Sequence, residues 1–553
     1  MENPLNIEEW IVELDIRSMQ AAMESGETTS EEIVKAYLKR IERYDGKLKS
    51  IIEVNPAAVR IARELDDERY EKGTRGPLHG IPLLLKDNID TRDAMHTSAG
   101  TLALAEHVAA EDSFVAAQLR KAGAVFLGKA NMTEWANFMA SGMWAGYSSR
   151  RGLCLNPYGP GELFVGGSSS GSGAAVAANL AAAAIGTETS GSIISPASQQ
   201  MLVGIKPTVG LVSRSGIIPI THTQDTAGPM ARTVADAAIL LGAMTGIDER
   251  DPATQASAGR FLQDYTPFLD ASSLKQARIG IPRHYFRDLD PARKAVLEAA
   301  IEALRREGAT IVDPVELPCQ DASWNGNVLV YEFKKGVNDY LAQLPESIPV
   351  HTLAEVIAFN NGHADRCLKY GQDLLEKCEA TSGTLTEPEY LETLRYNQEM
   401  SRAKGIDYAL ETYRLDALLF LGCDEGDDIA ARAGYPAMTV PGGYAEDGVI
   451  APGGYITKGP VGITFVGTAF SEPAERGFLR NTLVAAPPTW NRRVARFREG
   501  RTGFESLDLP ADEKRSRSPA HPDAGKRGRL LLLFVFTQTA NEDDGLDGNG
   551  WLT

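Results

Sequence analysis

The sequence predicts an α/β fold built on a largely parallel or mixed sheet, and two observations point there. Short apolar runs alternate with amphipathic stretches between Ile81 and Leu127, and the same strand-helix-strand order returns between Ala277 and Val312. With 553 residues and 43% hydrophobic content the chain is long enough for a large core and ordinary enough for a globular protein, as one large domain or two.

Taken in order, Thr28, Thr29 and Ser30 precede Glu31 and Glu32 in overlapping capping-box patterns, and Ile33, Tyr37, Leu38 and Ile41 then recur at helical spacing. A second helix is expected near Ala57–Tyr70. Ile81–Leu85 reads as a buried strand that runs directly into Lys86, Phe114–Ala122 as a helix and Ala124–Leu127 as a strand. From Gly166 to Ser195 two Ser/Gly-rich turns, Gly166–Gly173 and Thr189–Ser192, bracket an Ala-rich segment of helical propensity, an arrangement that brings two hydroxyls together. Met201–Ile205 and Pro207–Val212 read as short strands, Thr233–Met244 as a helix, Ala277–Ile281 as a strand, Pro291–Glu307 as a helix and Thr310–Val312 as a strand. From about 325 to 410 the pattern turns helical and more polar, as an insertion or lid over the sheet. Asp416–Leu421, Pro436–Val440 and Val461–Gly467 then supply the last strands. From Arg476 to Thr553 the chain carries 13 Lys and Arg against 10 Asp and Glu, with Pro-rich and Arg-Ser-rich pieces, and is expected to be a disordered tail in which Leu530–Phe536 is an aggregation hazard.

The net charge of -18 speaks against a nucleic-acid partner and an anionic membrane surface, because both need a basic footprint. The opening MENPLNIEEW has no basic, apolar leader pattern, and no apolar run reaches membrane-spanning length. Five cysteines without a C-x-x-C pair suit reduced thiols in the cytoplasm rather than metal ligands.

A serine hydroxyl needs a base to take its proton as it attacks. Gly167-Ser-Ser169-Ser-Gly171 matches the G-x-S-x-G nucleophile elbow, but a Ser/Gly run produces that match by chance, and only the short Leu163–Val165 precedes it where an elbow needs an apolar strand. The eight histidines are scattered. A lysine can serve instead if burial keeps its amine neutral. Lys86 is the best placed, although a strand-end lysine commonly reaches water, and local spacing does not separate it from Lys129 or Lys206. A phosphate-loop reading fails, since there is no G-x-x-x-x-G-K-[ST] and Val176 stands where a third glycine would be needed.

Six segments occur together and in order: Gly80-Ile-Pro-Leu-Leu-Leu-Lys86-Asp-Asn88, Gly128-Lys-Ala-Asn131-Met-Thr-Glu-Trp135, Gly166-Gly-Ser-Ser-Ser-Gly171, Gly186-Thr-Glu-Thr-Ser-Gly-Ser192-Ile, Gly204-Ile-Lys-Pro207-Thr and Asp225-Thr-Ala-Gly-Pro229-Met-Ala-Arg232. The set resembles the amidase signature hydrolases, with weaker likeness in Ala433-Gly-Tyr-Pro436-Ala and Gly459-Pro-Val-Gly462-Ile. The resemblance implies one large domain over 1–475 with a mixed sheet covered by helices on both faces, a signature core at about 78–234, the helical insertion at about 325–410 and the last sheet elements at about 416–467. The tail 476–553 departs from the family. It further implies a Ser-cisSer-Lys triad of Ser192 as nucleophile, Ser168 as the bridging serine after a cis bond to Gly167, and Lys86 as base. The backbone N–H groups of Thr189, Ser190, Gly191 and Ser192 fall in the place of the oxyanion hole, with Gly167 and Asp225 in support. No metal or organic cofactor is implied. Many relatives carry an arginine just after the nucleophile where this chain has Ile194 and Ser195, which favours a neutral amide, and Ser190 replaces the more usual glycine or aspartate. The expected reaction is hydrolysis of a small-molecule or peptide amide, in feel closest to peptide amidase, with a homodimer admissible. The alternatives are a catalytically silent amidase-like binding protein and a glutamyl-tRNA amidotransferase subunit of the A type.

Overall fold

The computed structural model describes residues 6–472 apart from 270, 425 and 452–454. The expectations for 476–553 therefore lie outside the described residues. The strands, in chain order, are β1 (Ile51–Val54), β2 (Pro82–Lys86), β3 (Val125–Ala130), β4 (Tyr147–Ser148), β5 (Gly152–Leu153), β6 (Ala183–Glu188), β7 (Val203–Lys206), β8 (Thr226–Ala231), β9 (Arg278–Gly280), β10 (Thr310–Val312), β11 (Ala417–Leu421), β12 (Ala437–Ala445) and β13 (Gly459–Val466). β4 and β5 form a small ribbon of their own. The other 11 make one sheet in the order β1-β3-β2-β6-β8-β7-β12-β13-β11-β9-β10. β2 runs parallel to both β3 and β6, and β6 is antiparallel to β8, so the sheet is mixed. Every residue of β2, β3, β6, β8 and β11 is buried. Since successive side chains point to opposite faces, both faces of the sheet are covered.

The N-terminal capping box forms as the sequence suggests: the helix Ser30–Leu48 is capped by Thr29, whose hydroxyl accepts from the Glu32 N–H while Glu32 accepts from the Thr29 N–H. The Ala-rich segment departs from expectation. Its helix covers only Ser170–Ala177, Asn179 turns out of it at φ 56°, and Ala183–Glu188 is the interior strand β6. Helical propensity is a weak preference that burial between two neighbouring strands overrides. Pro207–Val212 does not form a strand. Val209 and Val212 make only isolated bridges. β8 reads poorly in sequence because Gly228-Pro229 resembles a turn. In the sheet Pro229 pairs with Ile185 of β6, whereas β7 pairs only with Met230 and Ala231, so no ladder on that side needs the missing N–H.

The helices between Asn327 and Ser401 gather Leu329, Phe333, Val337 and Leu375 with Met132, Trp135, Phe138 and Met139 in an apolar cluster distinct from the one around the sheet. They thus pack on the segment that follows β3, whose residues run alongside the serines described next.

Candidate active site

β2 and β6 are parallel neighbours inside the sheet, and their C-terminal ends deliver Lys86 and Thr187 side by side at one end of the strands. The helix Ser170–Ala177 begins at the same end because Gly171 lies against the end of β3: its N–H donates to the Asn131 carbonyl at 2.8 Å, and a Cβ there would sit 2.2 Å from the Ser50 carbonyl oxygen. That close approach fixes where Ser168 and Ser169 stand.

Lys86 is wholly buried, and its Nζ lies 2.8 Å from Ser168 Oγ, 3.0 Å from the Thr187 carbonyl oxygen and 2.9 Å from Thr187 Oγ1. Burial lowers its pKa from 10.5 to about 7, against the opposing pull of the Asp225 and Glu188 carboxylates. In all three contacts Nζ can donate; when the amine is neutral, its two N–H bonds suffice for the Thr187 carbonyl and hydroxyl, which leaves a lone pair able to accept from the Ser168 hydroxyl. Lys129 and Lys206 are also fully buried, but elsewhere: Lys129 donates to the Ile89 carbonyl and the Thr97 hydroxyl, and Lys206 to the Pro207 carbonyl. The choice among three lysines that spacing leaves open is thus made by the sheet.

Linkage gives this arrangement a thermodynamic signature. A lysine whose pKa falls on folding leaves the unfolded chain binding more protons between pH 7 and 10.5, so its contribution to stability rises with pH across that window and is lost below about 7. In thermal melts, the Tm of Lys86→Met relative to the unsubstituted chain should therefore climb as pH is lowered from about 9 to about 6. A Tm difference independent of pH would mean that Lys86 keeps its ordinary pKa.

The Gly167–Ser168 peptide is cis, and the Ser168 carbonyl accepts from the Thr133 N–H at 3.0 Å. The Ser169 N–H donates to the Ser192 carbonyl at 3.1 Å, which joins the two Ser/Gly turns side by side. Ser169, the serine of the elbow pattern, uses its hydroxyl on β6, donating to the Thr187 carbonyl at 3.1 Å and accepting from the Thr187 N–H at 3.2 Å. No strand precedes it at Leu163–Val165.

The turn Thr189–Ser192 is held from several sides. Gly191 stands at φ 74°, a conformation that favours glycine, and its carbonyl accepts from the Ser195 N–H. Glu188 accepts from the N–H groups of Ile193 and Ile194 at 2.6 and 2.9 Å, and the Gly191 N–H also helps to hold its carboxylate. Asp225, partly buried at the cavity wall and with its pKa raised by desolvation, accepts from Thr189 Oγ1 at 2.6 Å and from the N–H groups of Ile220 and Thr221. Ser190 Oγ donates to Asp428 Oδ1 at 2.6 Å.

Two cavities flank this turn. One, of about 450 Å³, is lined by Asn88, Thr187, Thr189 and Asp225 and by the chain from Arg214 to His222. The other, of about 100 Å³, meets Gly167, Ser190, Gly191 and Ser195 under Met143, Trp144 and the stacked rings of Phe164 and Tyr455, 4.4 Å apart. The single cation among its described lining residues, Arg293, is engaged by Asp290 at 2.7 Å and Asp424 at 2.9 Å.

Sequence reasoning misses Thr187, Asn88 and Asp428. Thr187 and Asn88 lie inside the quoted motifs, where the charged and hydroxyl groups beside them carry the stronger signal. Asp428 is 238 residues from Ser190 and carries no local signal. Among the described residues no three His, Cys, Asp or Glu side chains gather as a metal ion would require, and no helix is long and apolar enough to cross a membrane.

The model of the Amidase family matches residues 32–474. An Arabidopsis thaliana protein named Probable amidase is 40% identical over 494 residues, covering 86% of this chain and 92% of its own. A native peptide amidase from Stenotrophomonas maltophilia superposes with a TM-score of 0.75 at 42% identity, over 89% of this chain and 98% of its own. The A-type subunit of a glutamyl-tRNA(Gln) amidotransferase from Halorhodospira halophila is 34% identical, over 83% of this chain and 94% of its own.

Proposed function

Because this chain belongs to the amidase family, we propose that it hydrolyses a neutral carboxamide to a carboxylic acid and ammonia through an acyl-enzyme on Ser192, with Ser168 as proton relay and Lys86 as base. The observation that carries the reading is the 2.8 Å contact between Ser168 Oγ and an Nζ that burial leaves substantially neutral near pH 7. As Ser192 Oγ attacks the carbonyl carbon, its proton passes to Ser168 Oγ and the Ser168 proton to Lys86 Nζ. The carbonyl oxygen gains negative charge against the backbone N–H groups of Thr189, Ser190 and Ser192, since Glu188 holds that of Gly191, and such fixed dipoles lower barriers of this kind most. The C–N bond then breaks as the proton returns from Lys86 through Ser168 to the departing nitrogen. Water attacks the ester in the second half and gives a proton to the same relay, which returns it to Ser192 Oγ as the acyl C–O bond breaks and the carboxylic acid leaves.

For the acyl side we favour a neutral group in the smaller cavity, whose mixed walls offer an engaged arginine, an aspartate and no other cation among the described residues to a substrate carboxylate. Amino-acid amides and C-terminal peptide amides are the class we favour, in keeping with the likeness to peptide amidase. None of the five cysteines is in a disulfide, as a reducing cytoplasm would leave them, and neither nucleic acid nor membrane is needed for such a substrate.

The test is a panel of primary amides given to the purified chain, with ammonia measured, and with hydroxylamine added to intercept the acyl-enzyme as a hydroxamate. We expect ammonia and hydroxamate from neutral amides and much less from amides carrying a carboxylate on the acyl side. Ammonia release that requires other protein components would favour the amidotransferase reading, which the likeness to that A-type protein keeps in view.

A further inference from the structure

Ser190 stands in the middle of the turn that faces the developing oxyanion, and its side chain is tied to a distant part of the chain. Its hydroxyl donates to Asp428 Oδ1 at 2.6 Å, and Asp428 Oδ2 accepts from Arg432 Nη1 at 2.8 Å, one helical turn further along Gly426–Ala433. The Arg432 side chain is only 1% exposed, and its guanidinium lies over the Trp324 ring, 4.6 Å from the centroid. The helix itself follows β11, so its position is set by the sheet. Gln224 holds the Thr189 carbonyl and Glu188 the N–H groups of Gly191, Ile193 and Ile194, so the turn is tied through its backbone on both sides of Ser190, and the Ser190 side chain adds a further tie at its middle.

We infer that Asp428, backed by Arg432, is a positioning residue for hydrolysis: by gripping the Ser190 hydroxyl it aims the backbone N–H groups of the Thr189–Ser192 turn at the oxyanion. This inference rests on the proposed hydrolytic reading of that turn. Asp428 touches no substrate atom in this scheme. A hydrogen bond from a hydroxyl to a carboxylate is among the stronger kinds, and it acts here on donors whose value depends on their aim.

Ser190→Ala leaves the Asp428–Arg432 pair in place and should lower kcat about tenfold with KM within about twofold, the split expected when an interaction made only in the transition state is lost. Asp428→Ala should give a similar loss, and the double variant should lose no more than the worse single one, since both act through one bond. Asp428→Asn keeps an acceptor for the hydroxyl but removes the charge facing Arg432, so it should lower Tm while holding kcat within about threefold of the unsubstituted chain. A peptide aldehyde, which forms a hemiacetal on the nucleophile, should bind Ser190→Ala about tenfold more weakly, and the matching alcohol should bind it unchanged. Full kcat in Ser190→Ala, or additive losses in the double variant, would overturn the inference. Activity surviving in Ser192→Ala would overturn the hydrolytic reading itself, so the two failures are distinguishable.

Discussion

Ser192→Ala should lower kcat by about 10⁴-fold or more, the scale on which removal of an activated nucleophile is felt in serine hydrolases. The size of the effect follows from the lack of a substitute nearby. Ser168 faces Lys86 Nζ, and Ser169 both donates to and accepts from the Thr187 backbone. Neither hydroxyl is placed to take over attack on a carbonyl held at the Thr189–Ser192 turn. The turn itself is held by Glu188, Asp225 and Asp428 through contacts that do not involve the Ser192 side chain, so the variant should melt near the unsubstituted chain. Steady-state ammonia release with a good neutral amide checks the loss, and turnover within tenfold of normal would remove Ser192 from the role proposed for it.

Lys86→Ala comes second, with an expected loss of about 10³-fold, within the range that a positioned general base contributes. Its sign with pH is as informative as its size. The neutral amine is the acceptor of the Ser168 proton, so kcat/KM of the unsubstituted chain should rise with pH through about 7 and level off above it, where Lys86 is deprotonated. In Lys86→Ala that acid limb should vanish from the residual activity. Ser168→Ala should cost somewhat less, because a water in its place can still pass a proton between Ser192 and the lysine. Near-normal turnover by Lys86→Ala would refute the assignment of the base.

How much of this is legible in the sequence varies with the range of the interactions. The capping box at Thr29 and the buried run into Lys86 are local patterns, and both are present as the chain suggests. What the local pattern does not supply is the fate of the Lys86 amine, because its burial comes from Thr187 on the neighbouring strand and from the turn at Ser168, 101 and 82 residues away. The ordered motifs supply that pairing through family resemblance instead of through physics. β6 is hidden for a related reason: Ala183 and Ala184 favour helix in isolation, and only the strands on either side make them extended. β8 is hidden by Gly228-Pro229, yet Gly228 is needed there, since a Cβ would lie 2.0 Å from the Ile205 carbonyl oxygen. Asp428 marks the limit. Its contact with Ser190 depends on the register of the whole sheet, and nothing in its immediate sequence distinguishes it from an ordinary surface aspartate.

The relay is tested most directly by labelling the chain with a serine-reactive fluorophosphonate across a pH series and locating the adduct by peptide mass mapping. The proposed mechanism predicts a single adduct, on Ser192, whose rate of formation rises through about pH 7 and which is absent from Ser192→Ala. An adduct on Ser169 or Ser168, or a labelling rate on Ser192 that does not change with pH and survives Lys86→Ala, would contradict it.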